Sequence, residues 1–504
     1  MRRYRQLLFS LLVLGVLIFI GINWKYNKQQ QLSSFFNQKN NNVGPLVKWN
    51  YDGILALEKQ IKKQTRTYNV AKAACALNVN KDIPTSYKPR IKLDPNKFLL
   101  PFLIWGPNNQ LIGLRDSIFV AIKLNRTLVI PRFFTHYKDT GAEKESLVHA
   151  ANRIDLEYLA RFISLVTLEQ FQNKCRRKIE VVFQNRPVVC STLSAAERAT
   201  GTDILGSKHT PGVDGKLTIK KSDPRCKPDI SAYPHKVDDG TKHEVRNLKA
   251  IFNSTAKCVV FLSPFQSLSV SSTYGRMHHD HYDIPSIAKL TTTSLVETVD
   301  SYKLMAAIEH ETRRPPYVVK IAAEFLRDVM ANNSFVAVHW RYDKEIVSEI
   351  CLTKPTDPIC NNSVTPGHLA VGISKVLKEI APLNQSKNTA PFIYIASPPK
   401  LKDFVTEVKT NLLTKHYYRN LSLQLTPVLT TADLEKYLDA KYPRQACKDL
   451  RPTDNEFLSL IEMEICSASV AFIGSQFSSW TAVIQHYRPK KYFKFDRSVY
   501  DVIF

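Results

Sequence analysis

Apolar positions along the chain fall into three regimes. The first is one unbroken run, Leu7 to Ile22, which carries no charge and is extended by Trp24. At about 16–18 residues it is near the short end of a bilayer span. Arg2, Arg3 and Arg5 precede it. The expectation is therefore a cytoplasmic tail over 1–6, a transmembrane signal-anchor over 7–24 and the bulk of the chain in the lumen. A cleaved signal peptide is the rival reading, but no small-x-small cleavage site follows the run. So short a span suits the thinner membranes of the early secretory pathway, giving a single-pass type II placement in the Golgi or endoplasmic reticulum. The second regime, residues 25–92, is polar. Ala56 to Lys63 reads as a helix that can run on to Ala76, and Pro84 and Pro89 end it. This segment reads as a stem, solvated or self-associating, which allows a homodimer through it.

The third regime begins near Leu93. Leu114, Ile118, Ala121 and Ile122 recur at helical spacing within Gly113–Leu124, and Thr127 to Pro131 is an apolar β-prone run stopped by proline. Helix followed at once by a buried strand is an α/β pattern. Ser164–Leu168, Val181–Phe183 and Cys258–Leu262 are further short apolar segments, and residues 195–245, rich in Gly, Pro, Asp and Lys, read as a surface insertion. His310-Glu311-Thr312-Arg313-Arg314-Pro315-Pro316 marks a boundary. Beyond it, helices are expected at Val318–Val329, within Pro366–Ile380, at 455–467 and at Ser479–Tyr487. Strands are expected at Phe335–His339, Phe392–Ala396 and Val470–Ile473. The fold class is α/β, with two Rossmann-like domains, 93–314 and 315–504, facing each other across a cleft. Ligands in such sheets bind outside the carboxyl ends of the strands.

Composition narrows the partners. Lys and Arg number 70 against 45 Asp and Glu, a net charge of +25. That points to anionic ligands such as phosphates, acidic glycans or lipid head groups. Nucleic acid is excluded because the charge is scattered rather than interleaved with aromatics, and because a lumenal placement is expected. The nine cysteines include no CxxC pair, which argues against zinc-finger chemistry. Four disulfides and one free thiol are expected, with Cys351 and Cys360 closing a short loop that holds two prolines. Asn-x-Ser/Thr sites occur at Asn125, Asn253, Asn332, Asn361, Asn384 and Asn420. Asn361 and Asn384 sit in polar loops suited to glycosylation, whereas Asn125, just before a buried strand, is expected bare.

Three segments could carry chemistry. Val336-Ala337-Val338 runs into His339, Arg341, Asp343 and Lys344, so a buried strand delivers a polar cluster at its carboxyl end. The guanidinium fork of Arg341 suits a diphosphate, and Lys344 adds a mobile charge. A plain strand-end salt-bridge network is the competing account. Phe472-Ile473-Gly474 passes through Ser478 and Ser479 to Trp480 and Thr481, and helix-start N–H groups with hydroxyls bind phosphate; an ordinary serine cap competes. Trp105-Gly106-Pro107-Asn108-Asn109-Gln110 forms a turn that presents amides before a helix. A fourth cluster, His278 to Asp283, tempts a metal reading, but adjacent side chains do not converge on one ion without a tight turn, so no metal is assigned. There is no GxxxxGK[ST] loop, GxSxG elbow, HExxH or Asp-x-Asp triplet.

Asn109-Gln110, the run Leu124-Asn125-Arg126-Thr127-Leu128-Val129-Ile130-Pro131, His339-Trp340-Arg341, and Phe472-Ile473-Gly474 with Ser478-Ser479-Trp480-Thr481 together resemble the GDP-fucose protein O-fucosyltransferase family. Its relatives include α1,6-fucosyltransferases and plant O-fucosyltransferase-like proteins. The resemblance spans most of 93–504 and is patchy between motifs. It implies a GT-B-like fold and inverting, metal-independent transfer of fucose from GDP-fucose to a protein or glycan hydroxyl. It needs no cofactor beyond that donor. It also implies that Arg341 is catalytic, neutralising charge that grows on the β-phosphate. His339 would position nucleotide or phosphate, Ser478 and Ser479 with the neighbouring Trp480 would hold the diphosphate, Asp343 and Lys344 would assist, and Asn109 would reach the donor from the first domain. Two departures matter. Nothing acidic lies between Asp94 and Asp116, so no general base is assigned. Val470 stands where members carry an Asp for nucleotide recognition, which shifts that task to Glu462 or Glu464. Another nucleotide sugar, a lumenal sulfotransferase and a non-catalytic glycan-binding relative are the alternatives.

Overall fold

The computed structural model describes residues 88–104, 106–135, 147–184, 254–262, 301–341, 365–380, 392–414, 427–447, 454–475 and 478–487, with isolated positions between them and back to Cys75. In the first half, strand β1 (Phe98–Phe102) leads into helix α1 (Pro107–Lys123) and strand β2 (Thr127–Val129). A small antiparallel pair follows, β3 (Phe133–Phe134) with β4 (Leu147–Val148), and then helix α2 (Leu156–Phe162). Strand β5 (Leu165–Val166), helix α3 (Leu168–Lys174) and strands β6 (Val181–Gln184) and β7 (Cys258–Leu262) complete a parallel sheet of order β5-β2-β1-β7-β6. β1 is buried throughout, as a central parallel strand must be. Its Pro101 is tolerated because pairing with β2 stops at Leu99 while pairing with β7 runs on to Phe102.

The run from Leu124 to Pro131 is structural. Asn125 turns the chain with φ 50° after α1. The Arg126 guanidinium, 1% exposed, donates to the carbonyls of Ala256 at 2.7 Å and Ser254 at 2.6 Å, locking β2 to the approach of β7. Desolvation lowers the Arg126 pKa below its ordinary value. Helices α4 (Ser301–Glu311) and α5 (Pro316–Asp328) carry the chain to the second sheet.

That sheet is built from β8 (Phe335–His339), helix α6 (Pro366–Ile380), β9 (Phe392–Ala396), helix α7 (Lys402–Thr414), β10 (Val428–Thr430), helices α8 (Thr431–Lys441) and α9 (Asp454–Ala468), β11 (Ala471–Ile473) and helix α10 (Ser479–Tyr487). All strands are parallel in the order β10-β9-β8-β11. The chain steps from β8 outward to β9 and β10, then returns to lie on the other side of β8 as β11. The strand order therefore reverses between β8 and β11, and the crevice beyond their carboxyl ends is where such sheets hold ligands. One hydrophobic cluster includes Leu99, Ile118, Phe325, Tyr394 and Phe472, and so joins the helices between the sheets to both of them. Each sheet also has a cluster on its other face, around Val336 and Ile393 in one and Phe98 and Val260 in the other.

Among the described residues, the disulfides Cys75–Cys447 and Cys175–Cys258 pin the body. Cys466 is buried and lies outside these disulfides. Cys351 is disulfide-bonded, with its partner outside the described residues, where Cys360 also lies. Leu77 and Ile91, from the segment read as stem, join the core.

The membrane-anchored architecture requires correction. Residues 7–24 lie outside the described residues, and among the described residues no helix is long and apolar enough to cross a membrane. The longest, α1, has 17 residues, about 26 Å at 1.5 Å per residue, and it buries Arg115 and Asp116 inside the protein. The architecture is two sheet-bearing α/β domains. The expected membrane partnership and the single-pass Golgi or endoplasmic reticulum placement, both drawn from that helix, are not carried forward.

Candidate active site

A cavity of about 370 Å³ opens at the carboxyl ends of β8 and β9. Its wall includes Pro107 and Asn108 from the start of α1, His339 and Arg341 from the end of β8, and Ser397 to Lys400 after β9. Asn455, Glu456, Leu458, Ser459 and Glu462 from one face of α9 and Trp480 from α10 complete it. The volume falls in the range of small-ligand sites, roughly 300–1,000 Å³.

The end of β8 is held by the turn after β11. Arg341 N–H donates to Ser475 Oγ at 2.7 Å, and that hydroxyl donates to His339 O at 2.8 Å. The His339 ring stacks on Trp480 with centroids 3.9 Å apart, and its Nδ1 lies 2.9 Å from Thr481 Oγ1. Trp480 Nε1–H donates to Ser459 Oγ at 2.9 Å, which ties α10 to α9. Burial, with Arg341 as a second cause, pushes the His339 pKa down to about 3, so the imidazole is neutral. Gly474 permits this packing, since a Cβ there would lie 2.2 Å from Thr481 Cγ2.

Two helix starts face the crevice. Helix α1 begins after Gly106 with Pro107 in its first turn, no side-chain cap and no acidic residue there. Its positive dipole end is therefore uncompensated. The buried Asn109 Oδ1 has no hydrogen-bond partner. Ser478 precedes α10, accepts Ala482 N–H through its carbonyl at 3.1 Å and keeps a buried Oγ without a partner. Such orphaned buried atoms are rare in native proteins and call for a ligand or water.

Glu462 sits deeper, where it accepts hydrogen bonds from Thr431 Oγ1 at 2.6 Å and Tyr394 OH at 2.9 Å. Desolvation outweighs those bonds and pushes its carboxyl up to about 8, so it is largely protonated at neutral pH. Glu464 is turned elsewhere and pairs with Arg314. Gln110 is a brace, with its amide exchanging two hydrogen bonds with Phe134 of β3.

The cavity thus brings together His339, Arg341, Glu462 and Trp480, with Asn109, Ser478 and the half-buried Ser479 at the adjoining helix starts. Asp343 and Lys344 lie outside the described residues, as do Asn253, Asn361, Asn384, Asn420 and the His278–Asp283 cluster. Asn332 is exposed, in the turn before β8. Among the described residues no group of three or more His, Cys, Asp or Glu could hold a metal ion. Sequence reasoning missed the clamping role of Ser475 and Thr481, although both belong to the segment Phe472 to Thr481 that it singled out, and it assigned no role to Glu456.

A model of the GDP-fucose protein O-fucosyltransferase family matches residues 105–490 of the 504. The chain belongs to that family. It is an enzyme, a glycosyltransferase that uses GDP-fucose as donor. No curated protein matches it. Among solved structures, POFUT1 in complex with GDP is 14% identical with a TM-score of 0.45, covering 80% of this chain and 99% of that chain. POFUT1 in complex with GDP-fucose is 13% identical with a TM-score of 0.46, covering 80% and 98%. Within the family pattern, the Leu124–Pro131 run and Gln110 serve the scaffold, whereas His339, Arg341 and Trp480 line the cavity.

Proposed function

We propose that the crevice between β8 and β11 holds the nucleoside diphosphate of GDP-fucose, and that fucose passes with inversion to a hydroxyl of a protein or glycan acceptor. The observation that carries this reading is the meeting of Arg341 with two helix starts at one crevice, beside a buried Ser478 hydroxyl that has no partner and can donate. Arg341 stabilises the β-phosphate as the glycosidic C–O bond breaks. The charge that develops there meets a guanidinium on the cavity wall. Neutral His339, held by Thr481 and Trp480, positions the nucleotide without adding charge. Ser478, Ser479 and the α10 amides receive the diphosphate, and Asn109 approaches it from the first domain. Glu462 takes the base-recognition role in place of the missing family Asp. Its carboxyl is buried at the cavity wall and already organised by Thr431 and Tyr394. The disulfides support folding in an oxidising compartment.

The test is direct. Purified protein is titrated with GDP, GDP-fucose and UDP-sugars by calorimetry, and GDP release is followed with and without chelator. GDP-selective binding that Arg341→Ala weakens, with release insensitive to chelator, is the expected result. Equal affinity for UDP, or binding unaffected by Arg341→Ala, would overturn the assignment.

A further inference from the structure

Transfer to a hydroxyl releases a proton, and the groups already assigned to the donor are poor receivers for it. Arg341 is a cation, His339 is held neutral with its pKa near 3, and Glu462 already carries a proton at neutral pH. Glu456 is the other carboxylate on the cavity wall. It is only 7% exposed, yet its two oxygens differ sharply. Oε1 accepts from Arg153 Nε, whereas Oε2 is buried and has no partner. Leaving such an atom open costs about 1–3 kcal/mol, so it marks a place where an arriving group donates.

Arg153 is fixed before it reaches Glu456. Its Nη2–H donates to Phe134 O at 2.7 Å, its Nη1–H to Gln110 Oε1 at 3.3 Å, and its guanidinium lies 4.8 Å from the centre of the Phe133 ring. These anchors belong to the first domain, while Glu456 rides on α9 of the second. The pair therefore sits where the domains meet, on the same wall as Asn108. Glu462 lies six residues further along α9, about 9 Å away at 1.5 Å per residue. A nucleotide reaching for Glu462 leaves the Glu456 end of the cavity to the sugar and the acceptor.

We propose that Glu456 is the general base of transfer and that Arg153 is its positioning residue; this rests on the fucosyl-transfer reading above. The acceptor O–H proton passes to Glu456 Oε2 as the acceptor oxygen bonds to the anomeric carbon. The bond from that carbon to the β-phosphate oxygen breaks, and its electron pair leaves with GDP against Arg341. The products are the fucosylated acceptor, GDP and protonated Glu456, which returns its proton to solvent. The ion pair with Arg153 keeps the carboxylate aimed between turnovers.

The test uses the full chain. Glu456→Gln keeps an oxygen for Arg153 and removes only the basic group. It is expected to bind GDP as the wild type does while kcat for transfer falls about 10²–10⁴-fold. In Glu456→Ala, added azide needs no deprotonation and is expected to restore GDP release by forming the glycosyl azide. Transfer by Glu456→Gln within threefold of wild type would remove Glu456 as base. Loss of GDP binding in Glu456→Gln would also refute it, by making the residue part of the donor site. Wild-type protein that binds no GDP would instead refute the reading beneath.

Discussion

Gly474→Ala tests whether close packing at the end of β11 holds the site. The added methyl would meet Thr481 Cγ2 at 2.2 Å, Thr481 Oγ1 at 3.0 Å and Phe472 Cε1 at 3.1 Å. The first contact is impossible without movement, and turning Thr481 to its other helical χ1 rotamer would carry its hydroxyl off His339. Overpacking of this kind costs about 1–3 kcal/mol. Moving Thr481 also breaks its 2.9 Å contact with His339 Nδ1, worth about 1 kcal/mol. The sum is a loss of about 2–4 kcal/mol, read as a lower urea midpoint at unchanged slope. Transfer should suffer as well, since each ~1.4 kcal/mol of lost positioning lowers kcat/KM about tenfold. The control is Thr481→Ser in the same background. It deletes Cγ2, keeps the hydroxyl, and should recover at least half of both losses. A stable, fully active Gly474→Ala, or a double variant no better than the single, would show that this packing does not position His339.

Arg341→Ala should lower kcat for transfer about 10²–10³-fold with the circular dichroism spectrum unchanged. Arg341→Lys should rescue little, because an ammonium lacks the guanidinium fork; near-wild-type turnover by Lys would refute a bidentate role. Paired Cys75→Ser and Cys447→Ser should cost up to about 5 kcal/mol in urea, since the cross-link spans 372 residues; an unchanged midpoint would count against its contribution. Glu462, with its folded pKa raised to about 8 from 4.5, binds more protons folded than unfolded in that window. Its contribution makes stability fall as pH rises from about 4.5 to 8, by at most about 1.4 kcal/mol per pH unit, and Glu462→Gln should abolish that slope. His339 acts oppositely, because its pKa, lowered to about 3 from 6.5, makes stability fall as pH drops from about 6.5 to 3. His339→Gln should remove that acid-side loss.

The second sheet was more legible than the first. β8, β9, α6 and α10 fall at the expected positions, because each is an apolar stretch bounded by Pro, Ser or a charged turn. Helix α1 begins earlier than its apolar spacing indicates, as Pro107 suits a first turn and extends it over polar Asn108 and Asn109. β1 escaped because Pro101 argues against a central strand, and only the register with β2 explains why it is allowed. In the site, Arg341 and His339 were readable because a strand points directly at them. Glu456 was not, since its meaning depends on Arg153, 303 residues away, and on an oxygen left open by the fold. The split between Glu462 and Glu464 was equally invisible, because two residues on a helix turn by about 200° and face different neighbours.

The Cys75–Cys447 bond sets a timetable for biosynthesis. At 5–20 residues per second, the 372 residues between the two thiols take roughly 20–75 s to emerge. For that interval Cys75 either stays reduced or holds a provisional partner among the cysteines made in between, and correct closure then waits on thiol–disulfide exchange. This bond can close before the last segment of the cavity wall, Asn455 to Trp480, has left the ribosome.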